Sequence, residues 1–127
     1  MFLATIEANL ALDALVTAGG SWYVSLSTTV PDKYLTSGIT EPPGQTRAQL
    51  QRISSWWDPA ADRSVQAVSD LILPPPTLDL GVAVFWVGWD SLTAGIPRVG
   101  GKLAGGNPIL AGSGNYIPKQ FLRIDSF

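Results

Sequence analysis

Five aspartates, Asp58, Asp62, Asp70, Asp79 and Asp90, lie near four tryptophans, Trp56, Trp57, Trp86 and Trp89. Two carboxylates flanking a sugar are enough for glycoside hydrolysis, which needs no histidine, and an indole can stack on the sugar ring. Asp58 and Asp79, beside Pro or Leu, and Asp90, before Ser91-Leu92, however, sit at strand ends, where an aspartate ordinarily shapes a turn. Calcium would require several oxygen ligands at close spacing, and Asp58-Pro-Ala-Ala-Asp62 is the nearest approach. The glycine-rich piece Gly100-Gly101-Lys102-Leu103-Ala104-Gly105-Gly106 lacks the Gly-Lys-Ser/Thr ending of a phosphate-binding loop. There is no cysteine and no histidine, which removes thiol chemistry, imidazole bases and the commonest metal ligands. The expectation is a protein that is not an enzyme and carries no cofactor or metal.

Composition points the same way. Charged residues are 14% of the chain against a usual value of about 25%, and mean hydropathy is +0.20. So little charge leaves apolar surface uncovered, which predicts contact with other subunits. A formal charge of −2, with Lys and Arg spread singly along the chain, argues against a phosphate-tracking face. The Met1-Phe2-Leu3 start lacks a basic region and Glu7 interrupts it, so no signal peptide is expected. No run approaches the roughly 18 apolar residues of a membrane span.

The elements that must position these residues read as one domain over 1–127, since a chain of this length buries about 65% of its unfolded surface in a single core. Residues 1–20 form a helical segment packed on the sheet or a neighbour. Thr5 can cap it, Glu7 suits its first turn, and Ile6, Leu10 and Ala14 share a face joined by Leu3. The helix is expected over about 6–17, closed by Gly19-Gly20. Trp22 to Ser27 alternates as a strand with Trp22, Val24 and Leu26 inward. A long loop without periodicity covers 28–46, a length that is usually functional.

Arg47 to Ile53 alternates again, with room for a bulge. Ala67 to Leu73 reads as a strand that Pro74-Pro75-Pro76 stops. Leu80 to Asp90, with Val82, Val84, Phe85, Trp86 and Val87, is the most apolar stretch and the expected central strand, buried on both faces. Gly88 within it signals a bulge or a close backbone approach. Short strands at Arg98–Leu103 and Asn107–Leu110, a turn at Gly112 to Asn115, and a last strand at Phe121–Ile124 complete the count. The fold class is mainly β: an antiparallel β-sandwich or jelly-roll of about seven to eight strands with one N-terminal α-helix. If Trp56 and Trp57 are adjacent on a strand, one points inward and the other outward, a candidate subunit contact.

Taken in order, Asn9 to Leu15, the strand Trp22-Tyr23-Val24-Ser25-Leu26-Ser27-Thr28-Thr29-Val30-Pro31 and the loop Ile39-Thr40-Glu41-Pro42-Pro43-Gly44 before Arg47 resemble a family of small virion structural proteins of tailed phages. Members typically carry a Leu-Tyr-Val-Ala-Leu-Ser-Thr-like strand, a Thr-Glu-Pro loop and a Gly-Tyr-Ala-Arg step, for which Gly44-Gln45-Thr46-Arg47 stands here without the tyrosine. Trp57, Leu71 to Pro74 and Val82 to Asp90 are the later counterparts. Many such proteins belong to phages of actinobacteria and are labelled minor capsid, minor tail or tail-fibre proteins.

The resemblance implies a virion building block located in the phage particle and assembled in the host cytoplasm. The expected function is a minor capsid or decoration protein that stabilises the major capsid lattice, with the major capsid protein as partner and a homo-oligomeric state. The alternative is a minor tail or tail-fibre component, with tail proteins as partners and possible binding of a host glycan. Neither nucleic acid nor membrane is an expected partner. The interface residues expected are Leu3, Ile6, Leu10, Ile39, Glu41, Pro42, Trp56 and Trp57.

Overall fold

The computed structural model describes residues 4–109, 112 and 115–126. The chain is mainly β, with eight strands in antiparallel sheets and one N-terminal helix among the described residues. Strands β1 (Ser21–Ser27), β2 (Ala48–Gln51), β5 (Val82–Trp89) and β6 (Pro97–Pro108) form a four-stranded sheet in the order β2-β1-β5-β6. Two ribbons complete the fold, one pairing β3 (Ser64–Gln66) with β8 (Arg123–Asp125), the other β4 (Leu71–Leu73) with β7 (Asn115–Ile117).

The expected central strand is central. β5 pairs with β1 through Tyr23↔Trp89 to Ser27↔Phe85 and with β6 through Trp86↔Gly101 and Gly88↔Val99. Its register shifts between Gly88 and Trp89, where a Cβ on Gly88 would stand 2.7 Å from a Val99 methyl. Gly88 therefore marks both a bulge and a close approach. The β1–β2 register runs without interruption from Ser21↔Gln51 to Val24↔Ala48, so the bulge allowed for in β2 belongs to the β5–β6 pair.

Alternation along β1 turns Trp22, Val24 and Leu26 to the inner face, where they meet Leu50, Trp86 and Val99 in one buried cluster with Leu71, Leu73, Ile117, Leu122 and Ile124 of the ribbons. Trp22 and Trp57 pack edge to face at 6.2 Å, an arrangement worth about 1 kcal/mol beyond the area it buries. The Trp86 indole donates to the Phe121 carbonyl at 2.8 Å, so its polar edge is satisfied inside the core.

The helix α1 spans Thr5–Val16 with Ala4 at its N-cap and no side-chain cap, so Thr5 is the first helical residue and does not cap. Ala8, Leu12 and Val16 face the core, while Ile6 and Leu10 of the expected face are exposed. Both stripes satisfy i, i+4 spacing in a helix apolar all round. The structure selects the one led by Ala8, whose small side chain lets the helix approach the ribbons closely. Asn9 and Asp13 anchor it by accepting from the backbone N–H groups of Arg63 and Ala60. The helix ends before the glycine pair, and its Leu15 carbonyl receives two hydrogen bonds from Arg52, at 3.0 and 2.9 Å. A cation at a helix C-terminus complements the dipole, and this one also stacks 4.5 Å above Trp22.

Two other expectations change. The segment from Pro97 to Pro108 is one strand, in which Gly100 and Gly101 accommodate crowding instead of turning, and its pairing with β5 shifts register between Ala83↔Asn107 and Phe85↔Lys102. The Ala67–Leu73 segment is extended only at Leu71–Leu73, with Ala67 held in an isolated bridge to Trp57. The polar stretch before it supplies β3 through a tight turn at Asp62 and Arg63, both at positive φ. The turn expected at 112–115 falls partly outside the described residues.

Candidate functional site

The outer face of the four-stranded sheet carries Tyr23, Ser25, Ser27, Phe85, Val87 and Trp89, and the 28–46 loop folds back over it. Ser25, Ser27 and Val87 are fully buried as a result. The central strands thus have both faces covered, one by the core and one by a loop.

Short polar side chains hold that loop in place. Ser27 Oγ donates to the Thr29 carbonyl at 2.7 Å and accepts from the Thr40 backbone N–H at 3.1 Å. Asp32 accepts from the backbone N–H groups of Thr36 and Ser37, at 2.7 and 3.0 Å, and from the Thr36 hydroxyl. These hydrogen bonds hold the Asp32 carboxyl below the usual carboxylate range, the Thr36 hydroxyl contributing most. Beyond Ala48 the β2 strand no longer covers β1, and the Gln45 carboxamide takes over. It accepts from the Leu26 N–H at 2.6 Å and donates to the Leu26 carbonyl at 3.0 Å, one rung of a ladder made by a side chain. The Thr28 N–H then goes to the Thr40 carbonyl.

At the centre lies Arg47, 7% exposed. Its Nε and Nη2 contact both oxygens of Glu41, at 2.9 and 3.0 Å, and its Nη1 donates to the Ser91 and Ala94 carbonyls, each at 2.7 Å. The guanidinium lies 4.2 Å over the Trp89 ring, and the Trp89 indole donates to Ser25 Oγ at 2.8 Å. Burial alone would raise the Glu41 carboxyl, but hydrogen bonds from Arg47 and Ser25 and the Arg47 charge bring it below its ordinary value. One cation therefore joins the long loop, the sheet and the β5–β6 turn.

Beside this cluster an open groove of about 550 Å³ runs between the loop and the turn, lined by Tyr34 to Ile39, Trp89, Ile96 and Pro97. Leu35 and Ala94, on its two sides, both hold positive φ, 58° and 52°. Such backbone in a side-chain-bearing residue costs about 1–3 kcal/mol and persists only where surrounding contacts over-determine it. Here Asp32, Arg47 and the packing of Leu35 against Gly100 supply those contacts. The groove is an open, mainly apolar surface recess, with Tyr34 66% and Ile96 56% exposed at its rim.

The residues expected from sequence are distributed between layers. Ile39 lines the groove and Glu41 braces it through Arg47. Ile6 and Leu10 are exposed on the helix, on the opposite side of the sheet, and Leu3 lies outside the described residues. Pro42 and Trp57 are buried within the chain, which takes them out of its contact surface, while Trp56 is half-buried. The two tryptophans differ because Trp56 ends a 3₁₀ turn (Ser54–Trp56) and Trp57 leaves it extended, not because they alternate on a strand. Arg47, Gln45, Tyr34 and Ile96 are the residues that sequence reasoning missed, while Trp89 entered it only as an indole that could stack on a sugar. The only signal for them was Glu41 and Arg47 bracketing Pro42-Pro43-Gly44.

The aspartates do not converge. Asp70 accepts from the Lys119 N–H, tying two distant segments, and Asp90 accepts from the Ile96 N–H within the β5–β6 turn. Among the described residues no group of three or more His, Cys, Asp or Glu side chains gathers, and no helix is long and apolar enough to cross a membrane. No protein-family model and no curated protein matches the chain.

Proposed function

We propose that this chain is a structural protein of a tailed-phage particle, without enzymatic activity, that decorates the capsid by binding the major capsid lattice. The observation that carries the reading is the disposition of its apolar surface. Among the described residues, large apolar side chains are exposed on the helix (Ile6, Leu10), on the β4–β7 ribbon (Ile72, Tyr116) and around the groove (Val30, Tyr34, Leu92, Ile96). The buried polar groups described above, by contrast, are engaged with the chain's own backbone and side chains. A domain greasy on several sides suits a building block surrounded by neighbours, each contact small and repeated by symmetry.

In this mechanism the sheet, loop and ribbons act as a rigid body, and stabilisation of the shell comes from apolar area removed from water between subunits, at about 25 cal/mol per Å². The test is the copy number in purified particles, read from a stained gel against the major capsid band. A number on the scale of the lattice is expected. A handful of copies would assign the chain to the tail, and turnover of a saccharide by the isolated chain would reject a structural role.

A further inference from the structure

The 28–46 loop covers the outer face of the sheet without belonging to the core. Among the described residues, none of its side chains joins the buried cluster between sheet and ribbons, and those of its residues that are buried are Pro31 and Pro42. The face beneath it is also unlike the middle of a sheet. Strands closed on both sides ordinarily read apolar on both, yet the residues with no exposure under the loop are Ser25, Ser27 and one valine, Val87. Two hydroxyls and a valine lose little on meeting water, so this face can be uncovered without breaking the core.

The loop is held together by its own bonds. Thr29 Oγ1 contacts the Gly38 carbonyl and Thr40 Oγ1, at 2.5 and 2.9 Å, and so closes the neck. At the tip the Asp32 N–H donates to the Ser37 carbonyl at 3.1 Å, while the Asp32 carboxylate takes the N–H groups of Thr36 and Ser37. Residues 29–40 thus form an Ω-loop whose internal bonds survive its leaving the sheet.

Its bonds to the sheet gather at the neck. The Thr40 N–H goes to Ser27 Oγ, the Thr40 carbonyl takes the Thr28 N–H, and the next residue, Glu41, grips Arg47. Further out, Leu35 rests over Gly100, its Cδ2 3.5 Å from where a Cβ would stand, an apolar contact that parts without leaving a donor or acceptor unpaired. Past Glu41, Gly44 holds a φ of +87° with nothing within 4 Å of its Cβ position, where the backbone has room to turn. Gln45, beyond it, stays bound to Leu26.

We propose that residues 29–43 form a lid that swings off the intact sheet as one body, turning about Thr28 and Gly44, with the Glu41–Arg47 pair as its latch. Closed is the ground state, and the chain behaves as a rigid body until the latch parts. Open, the lid uncovers Ser25, Ser27, Val87 and the Trp89 ring and dissolves the groove, while the core between sheet and ribbons stays packed. Local openings of this kind are drawn from segments with few buried apolar contacts. Access to the outer face is then governed by one ion pair, a property of the isolated chain that does not rest on the capsid reading.

The chain has no cysteine, so one introduced thiol reports access. Val87→Cys places it under the lid and Val24→Cys in the core, both at fully buried positions on adjacent rungs of the β1–β5 pair. With DTNB in native buffer, Val87→Cys is expected to label at least about 100-fold faster than Val24→Cys, as a local opening does relative to global unfolding. Its rate should change little in low urea, because the opening exposes little surface. Adding Glu41→Gln to Val87→Cys is expected to speed labelling about tenfold or more, as loss of one partner of a buried pair does. Ser27→Ala, which removes the acceptor of the Thr40 N–H, is the second latch variant should Glu41→Gln unfold. Val65→Cys in the β3–β8 ribbon replaces Val24→Cys, and Ser25→Cys replaces Val87→Cys, should either fail to fold. Equal rates beneath the lid and in the core would mean that the loop leaves only when the chain unfolds. A rate that the latch variants do not change, or a thiol beneath the lid as reactive as a free one, would equally overturn the proposal.

Discussion

Glu41 presents both carboxylate oxygens to Arg47, at 2.9 and 3.0 Å, across the Pro42-Pro43-Gly44 turn. The pair closes the end of a loop that has no strand of its own, and Arg47 carries the restraint on to Ser91 and Ala94. The groove thus has its two sides tied to one guanidinium, and its shape depends on an ion pair that does not line it.

Glu41→Gln leaves Arg47 buried beside a neutral amide. Breaking a buried pair from one side costs about 3–5 kcal/mol when both partners are buried, and because the Glu41 side chain is 28% exposed water offsets part of this, giving about 2 kcal/mol. Thermal melts of wild type and variant at neutral pH are expected to differ by about 3–5 °C per kcal/mol in a chain of this size. A variant melting with the wild type would show that the loop is held without the pair.

Acid should erase that difference. The Glu41 carboxyl has a folded pKa below its ordinary value of 4.5, so its contribution is complete above the ordinary value and is lost as pH falls through the folded one. Asp32, lowered chiefly by the Thr36 hydroxyl, and Asp90, lowered chiefly by the Ile96 N–H, act with the same sign below their ordinary value of 3.8. Wild-type stability measured by urea titration should be flat from pH 7 to about 5 and fall below it. The gap to Glu41→Gln should close only as pH falls below the ordinary value of 4.5, and a gap that stays constant to about pH 3 would place its origin elsewhere.

Gln45 makes a prediction specific to one amide. Its carboxamide is the partner of the Leu26 N–H and carbonyl, so Gln45→Ala leaves both without that partner at the end of the β1–β2 pairing. A loss of about 1–3 kcal/mol is expected, and hydrogen exchange should speed up at Leu26 well before it does at Val24, which pairs with Ala48. Equal acceleration at both sites would mean that the whole strand pair opens together.

How much of this was legible depended on whether a partner was local. Trp22-Val24-Leu26 declared its inward face by alternation, and the run from Val82 to Trp89 declared a central strand by its apolar content, because each signal lies within one element. The Ile6-Leu10-Ala14 stripe was legible from its spacing, but apolar residues on all sides leave two equivalent stripes, and only the ribbons beneath choose Ala8-Leu12-Val16 as the one that faces the core. The Pro97–Pro108 strand was split in two because glycine serves equally as a turn residue and as a gap for a neighbour. Arg47 read as the start of an alternating strand, while Ser91 and Ala94, its partners, lie 44 and 47 residues away. No local pattern encodes such a separation.

Gly101 makes that last ambiguity testable. If the glycine were there for a turn, a left-handed φ would be what opposes alanine, but no such φ occurs at Gly101, and the demand on it is space. A Cβ there would stand 2.6 Å from the Trp86 indole nitrogen and 3.1 Å from the Arg123 carbonyl. Trp86 is fully buried and donates to Phe121, so it cannot swing aside without losing that bond, and the Arg123 carbonyl belongs to β8. Gly101→Ala must therefore push the β3–β8 ribbon away from the sheet, and overpacking of this kind costs about 1–3 kcal/mol, with loss of the indole hydrogen bond added. Gly112→Ala is the control, since nothing lies within 4 Å of its Cβ position and only its φ of +70° opposes the change, a smaller penalty of about 1 kcal/mol. Urea midpoints of the two variants should rank Gly101→Ala as the less stable, with tryptophan fluorescence altered in that variant alone. The reverse order would mean that the contact between sheet and ribbon is looser than the packing around Trp86 indicates.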